Sequence, residues 1–325
     1  MSDISKIQSL FDEYLSQHFF QQEPKELYDP INYILQLGGK RLRPLLALMG
    51  YQVFDSNIEK ALPVAFAVEI FHNFSLVHDD IMDEAPLRRG KPTVHHQYNI
   101  NTGILSGDVM LIYAYEYLLK TDNPSIHAAL IKVFNQVAIE VCEGQQMDMN
   151  FEQRKDVTLV EYLKMIELKT AALIGGALQL GALMAGGDAK DAAQLASFGR
   201  NAGIAFQLQD DLLDAFGDPD KVGKKVGGDI VQNKKTYLII KALEVADAST
   251  KEALRQWLAS KPKDEQSKIN QVKTILLELG IPELITQAKT AFLQEAKTCL
   301  ESVNGIAAEK QALLELAEKL ANREF

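Results

Sequence analysis

The chain has 325 residues, which exceeds the usual single-domain size but suits one large helical domain. Its 34 Lys and Arg against 44 Asp and Glu leave a formal charge of −10, which excludes a general nucleic-acid binder, because phosphate contacts need a basic face. Hydrophobic residues at 47% exclude disorder, and two cysteines, Cys142 and Cys299, form no disulfide framework and no metal-ligand spacing, so a reducing compartment is expected. In chain order, Asp3 precedes Ile4, Ile7, Phe11, Tyr14 and Leu15 at helical spacing, a first capped helix. This stretch lacks a basic n-region and a long apolar h-region, so no secretory signal is predicted. Residues 38–44, GGKRLRP, mark a helix start with Lys40 and Arg43 on one face. An apolar run then closes on Asp79-Asp80-Ile81-Met82-Asp83, followed by Arg88-Arg89-Gly90-Lys91. Asn123-Pro124 opens a helix continued by Val133, Val137 and Val141. Residues 171–187, rich in Gly and Ala and containing Gln179, read as a buried core helix rather than a membrane span. A second apolar run closes on Asp210-Asp211-Leu212-Leu213-Asp214, followed by the basic segment 223–236. The last third reads as amphipathic Lys/Glu-rich helices. No linker, repeat or clean strand alternation interrupts the pattern, which predicts one all-α domain over 1–325, soluble and cytoplasmic, a single bundle of long helices.

The repeated D-D-x-x-D carries the chemistry. At i and i+4 on a helix, Asp79 and Asp83 project together, as do Asp210 and Asp214, while Asp80 and Asp211 stand about 100° round. Like charges so close repel, more strongly beside apolar flanks such as Phe74-Ser75-Leu76-Val77. A divalent cation relieves that repulsion. Carboxylates without a Cys or His set are hard oxygen ligands and suit Mg²⁺, which keeps waters and takes phosphate oxygens for the rest of its shell. Two such clusters facing each other across a bundle would clamp a diphosphate through metal ions. The basic segments at 38–44, 88–91 and 223–236 supply the cationic counterpart, with guanidinium groups suited to oxyanions and glycines that let backbone N–H groups approach. His72, seven residues before Asp79, falls on the same helix face and is a candidate diphosphate donor. His78, His95 and His96 read as structural or supporting.

Together these segments resemble the trans-isoprenyl diphosphate synthases, the family of farnesyl and geranylgeranyl diphosphate synthases. The resemblance runs in one order through GGKRLRP (38–44), FSLVHDDIMDEAPLRRGKPTVH (74–95), GQQMD (144–148), KT (169–170), FQLQDDLLD (206–214) and GKKVGGDIVQNKKTY (223–237). It implies helices around a deep central cavity, a homodimer, and condensation of an allylic diphosphate with isopentenyl diphosphate. It implies that Asp79 and Asp83, helped by Asp80, hold two Mg²⁺ on the allylic diphosphate. Asp210, helped by Asp211 and Asp214, would hold a third. Arg88, Lys169, Lys224 and Lys234 would bind the same diphosphate, with Lys225 as the alternative to Lys224. Lys40, Arg43, His72 and Arg89 would bind isopentenyl diphosphate. Thr170 and Gln207 would lie beside the allylic C1, where with Lys169 they form the catalytic set.

Product length is expected from Phe71, Phe74 and Ser75, which stand eight, five and four positions before Asp79 on the side along which a product would grow. In the family an aromatic residue there accompanies short products, so C15–C20 is expected, with geranylgeranyl diphosphate slightly ahead of farnesyl diphosphate. A class I terpene cyclase needs no second diphosphate site and leaves Lys40, Arg43 and Arg89 unexplained. A His-Asp phosphohydrolase leaves the second D-D-x-x-D unexplained. A non-catalytic helical partner subunit would be expected to lose ligands, yet both clusters are whole. Neither the role of Arg323 nor the preferred allylic starter follows from the sequence.

Overall fold

The periodic segments form helices, and Pro63, Pro124 and Pro282 sit at helix starts, where the missing N–H costs nothing, whereas Pro30 lies inside the helix Lys25–Gln36. In the computed structural model, which describes residues 3–218, 226–260 and 265–323, α1 spans Asp3–Gln17, α2 Lys25–Gln36 and α3 Leu42–Gln52. Pro63 lies in the first turn of α4 (Leu62–Met82), and Pro124 opens a 3-10 turn that runs into α7 (His127–Glu152). Between them come α5 (Val94–Gln97) and α6 (Ile100–Leu118). After α7 follow α8 (Leu159–Ile166), a π-helical turn at Glu167–Ala171, α9 (Ala172–Met184) and α10 (Ala189–Phe216). Helices Gly228–Gln232, Tyr237–Val245, Ala248–Ala259, Glu265–Glu278, Ile281–Glu301 and Ala307–Ala321 complete the described chain. The all-α expectation is met.

Among the described residues one hairpin departs from it, and its reason is local. Leu87–Arg88 pairs antiparallel with Lys91–Pro92. The two loop residues, Arg89 at φ 54° and Gly90 at φ 76°, both take positive φ, the geometry that matches the twist of paired strands.

The chain groups into two compact units. The first comprises residues 1–136, 176–196 and 303–309; the second comprises 137–175, 197–302 and 310–325. In the first, α4 packs chiefly against α6 and α3 around Ile34, Leu48, Phe66, Ile70 and Met110. The small residues of the 171–187 segment have a packing role here. A Cβ on Gly181 would lie 1.9 Å from the Ala47 carbonyl oxygen, and one on Gly50 would lie 2.5 Å from that of Leu178. Only glycine allows this backbone approach between α3 and α9.

The second unit is built on Met165, Ile204, Leu208, Ile239, Ile269 and Ile285. Its α8 starts on a capping box, with Thr158 accepting from the Glu161 N–H and the Glu161 carboxylate accepting from the Thr158 N–H. Among the described residues, three helical stretches have the length and apolar composition of a membrane span. The windows within Ile58–Met82 and Leu159–Met184 are 67% and 72% buried inside the protein, whereas that within Pro124–Glu152 is 22% buried.

Candidate active site

In the first unit, α4 carries Phe71, His72, Phe74, Ser75, Asp79 and Asp80, and ends at Met82 with Asp83 as its cap. Asp79 and Asp83 are joined along the helix end, the Asp83 N–H donating to the Asp79 carbonyl at 2.8 Å. The second aspartate behaves differently. Asp80 is buried, and the Arg88 guanidinium closes on it as a fork, with Nε donating to Oδ2 at 2.8 Å and Nη2 to Oδ1 at 2.7 Å. The same Nη2 lies 3.7 Å from Asp79. Asp80 thereby fixes the cation that stands at Asp79.

The second cationic group lies two turns back along α4. Arg43 donates from Nη1 to His72 Nε2 at 3.1 Å, which leaves the His72 Nδ1 as the N–H side of a neutral ring. Burial, followed by Arg43, Arg89, Arg88 and Arg41, holds the His72 pKa well below its ordinary value, so the ring is neutral at pH 7. Burial also lowers Arg43 to about 10, with Glu69 opposing and Arg89 adding to the shift. Arg89 reaches the Gly38 carbonyl and passes over Gly39, whose φ of 128° favours glycine. Lys40 does not share a helix face with Arg43. Gly38, Gly39 and Arg41 have φ of 78°, 128° and 47°, so the helix cannot begin before Leu42 and Lys40 stays in the loop.

Around Phe71 the rings form a column. Phe71 lies 5.6 Å from Phe74 and 5.1 Å from Phe134, while Phe74 lies 4.8 Å from His78. Phe71 is fully buried, Phe74 and Ser75 are partly exposed, and the Ser75 hydroxyl returns to the His72 carbonyl at 2.8 Å. His78 Nε2 lies 3.1 Å from the Ile104 carbonyl oxygen, as a structural histidine would.

In the second unit, Lys169 and Thr170 lie on the π-helical turn, an irregularity common at functional sites. Small residues accommodate the widened turn. A Cβ on Gly144 would lie 2.3 Å from the Lys169 nitrogen, and one on Gly203 would lie 2.8 Å from the Ala171 Cβ. Lys169 Nζ donates to Asp148 at 2.6 Å, and Thr170 Oγ1 donates to Gln207 Oε1 at 3.4 Å. Gln207 Nε2 in turn donates to Asp211 Oδ1 at 3.3 Å. Asp211 is buried, accepts from the Tyr162 hydroxyl and from the Tyr237 N–H at 3.1 Å, and has its pKa pushed up to about 7, by burial first. Like Asp80, it organises its neighbours from inside the protein.

Asp210 pairs with Arg323, whose guanidinium lies 4.5 Å from the Phe206 ring centroid. Gln209 holds the Arg323 carbonyl at 2.7 Å and accepts from the buried Lys289 at 2.7 Å. Asp214 Oδ2 accepts from the Asp229 N–H at 3.0 Å, tying the second cluster to the loop that bears Lys234. Lys234 Nζ is 3.9 Å from Asp229. Lys224 and Lys225 lie outside the described residues.

The sequence pattern does not single out Arg41, Glu69, Asp148, Tyr162 or Asp229, and it leaves the role of Arg323 open. Asp148 closes the GQQMD segment and Arg41 stands inside GGKRLRP, so both could have been found there. Tyr162 lies 49 positions from Asp211 and carried no local signal. The donors fit Mg²⁺ in kind, being aspartate oxygens in each cluster. Among the described residues no three His, Cys, Asp or Glu side chains form a ready-made metal cage, and a hard cation that keeps waters and takes phosphate oxygens does not need one.

The sequence pattern of the polyprenyl synthetase family matches residues 24–276. A geranylgeranyl diphosphate synthase of Methanosarcina mazei is 35% identical over 303 residues, 93% of this chain and 91% of that one. A short chain isoprenyl diphosphate synthase of Methanothermobacter thermautotrophicus is 35% identical over 324 residues, covering 100% and 98% of the two chains. Among solved structures, a geranylgeranyl pyrophosphate synthase superposes with a TM-score of 0.94 at 44% identity over the full length of both chains.

Proposed function

The chain belongs to the polyprenyl synthetase family and is a short-chain prenyltransferase, and on that footing we propose that it condenses an allylic diphosphate with isopentenyl diphosphate to give geranylgeranyl diphosphate. The observation that carries this reading is two cationic positions set along α4. Arg88 stands at Asp79 and Asp80, a carboxylate-rich anion position suited to a metal-bound diphosphate. Seven residues earlier, about 10 Å along the helix, His72 stands with Arg43, a cationic position with no D-D-x-x-D. One metal-dependent and one metal-free anion position are what two different diphosphates require. A terpene cyclase or a phosphohydrolase has use for only the first.

On this proposal, Asp79 and Asp83 would hold two Mg²⁺ and Asp210 a third, while Asp80, Asp211 and Asp214 would support them through Arg88, Gln207 and the Asp229 loop. Bound Mg²⁺ supplies neutralisation of the charge that builds on the leaving diphosphate. Arg88, Lys169, Lys234 and Lys224 add fixed positive charge to the same group, so the allylic C–O bond breaks with its electron pair on the diphosphate. Thr170 and Gln207 present oxygens to the cationic C1. Lys40, Arg43, Arg89 and neutral His72 hold isopentenyl diphosphate so that its double bond attacks C1, and the proton then lost leaves with the diphosphate.

The C20 product is supported by Phe74 backed by buried Phe71, which together end the path for a growing chain, and by the relatives named above. A homodimer is supported by α6, where Ile104, Leu105 and Ile112 are 44%, 56% and 65% exposed. The test is diphosphate release in the presence of Mg²⁺. Release that requires both substrates is expected, and release from either substrate alone would remove the reading.

A further inference from the structure

Glu69 is a buried carboxylate on α4, 2% exposed, with no part in the chemistry above. Its Oε1 accepts from Arg41 Nη1 and, at 2.9 Å, from Asn73 Nδ2. Asn73 is itself fully buried and also donates to the Glu69 carbonyl at 2.8 Å, which fixes the side chain along the helix. The second nitrogen of Arg41, Nη2, donates to the Leu35 carbonyl in the last turn of α2. One guanidinium therefore joins α2, α4 and the loop that precedes α3. Arg41 does so from a left-handed backbone, φ 47°, a conformation that a non-glycine residue adopts only when its surroundings hold it there.

That loop carries Lys40, and its Gly38 carbonyl receives the Arg89 guanidinium. Arg41, Arg43, Arg88 and Arg89 repel one another, and each is felt by His72. Glu69 is the carboxylate that opposes the repulsion at both Arg43 and Arg89. Without it, a crowd of cations that must stand ready for an anion would have to spread apart while empty.

We propose that Glu69 and Arg41 form the positioning pair of the isopentenyl diphosphate site: neither touches substrate, and together they hold the 38–41 loop and the Arg43–His72–Arg89 group in place. The assignment rests on the function proposed above.

The experiment compares Glu69→Gln, Arg41→Gln and the double variant in the full-length, Mg²⁺-loaded enzyme. It measures KM separately for isopentenyl and allylic diphosphates, with calorimetric titration of isopentenyl diphosphate alone. Each single variant is expected to raise the isopentenyl diphosphate KM about tenfold, as loss of a buried charged hydrogen bond should, with the allylic KM changed by less than about twofold. The double variant should be no worse than the poorer single, because the two residues act as one unit. Additive losses would overturn the assignment by showing that Arg41 acts on its own. Equal rises in both KM values, or an unchanged isopentenyl diphosphate KM, would overturn it as well. Should a single variant leave a lone buried charge and fail to fold, the double variant buries none and decides by the same criterion. A wild-type enzyme that binds isopentenyl diphosphate and yields prenyl product, beside variants of unchanged KM, refutes only this assignment; a wild type that does neither removes the function and the assignment together.

Discussion

At the scale of single residues, the two D-D-x-x-D clusters divide their labour in the same way. The first and third acids of each remain partly or fully exposed, and the middle acid is buried. Asp80 is forked by Arg88, and Asp211 is held by Tyr162, Gln207 and the Tyr237 backbone. A spacing argument gives the face of each side chain but not its partner, because the partner comes from a distant part of the chain. Spacing places Asp80 and Asp211 about 100° round from the paired acids, and the structure adds the side chains and backbone that hold them there. The aromatic pair below Asp79 yields a sharper prediction. Phe74 is partly exposed and leans on buried Phe71, so Phe74→Ala should lengthen the product beyond C20 with little loss of stability, as read by chromatography of the dephosphorylated prenols. An unchanged product would remove Phe74 as the floor. Phe71→Ala, by contrast, empties a fully buried site and should cost about 3–5 kcal/mol in denaturant unfolding.

At the scale of elements, the positions of helices were legible and their irregularities were not. Apolar periodicity and N-terminal prolines located α4, α7 and α10. They could not locate the π-helical turn at Glu167–Ala171, since a widened turn has no periodicity of its own at that length. Nor could they find the hairpin at Leu87–Pro92, whose strands are two residues each. The loop before α3 shows the same limit. GGKRLRP reads as a helix start, but three left-handed residues move the start to Leu42 and separate Lys40 from Arg43. Close packing sets the geometry of the π-helical turn, and Gly144 is where it can be tested. Gly144→Ala places a methyl group 2.3 Å from the Lys169 nitrogen, so α7 or the turn must shift. We expect a loss of about 1–3 kcal/mol of stability, the usual cost of overpacking. With Lys169 and Thr170 displaced, kcat should fall while the isopentenyl diphosphate KM holds. A variant of wild-type kcat would show that the turn's position is not critical.

At the scale of the whole molecule, a net charge of −10 and anionic substrates are compatible because the cations are placed rather than abundant. Arg43, Arg88 and Arg89 gather on or beside α4, and much of the acid excess lies on exposed helix faces. Composition alone could exclude nucleic acid but could not show this polarity. The exposed apolar stripe on α6 has the character of a surface that a second copy of the chain would cover. Ile112→Glu should therefore shift the enzyme from dimer to monomer in light scattering at micromolar concentration, and a wild-type protein already monomeric there would refute the homodimer. The central claim is that two diphosphates are joined, and one measurement reaches it directly. Purified enzyme is incubated with Mg²⁺, dimethylallyl diphosphate and isotopically labelled isopentenyl diphosphate, and the prenyl product is identified by mass. The account predicts label in a C20 diphosphate, with none formed when the allylic starter or Mg²⁺ is withheld. Phosphate released from one substrate alone, with no labelled prenyl chain, would contradict it.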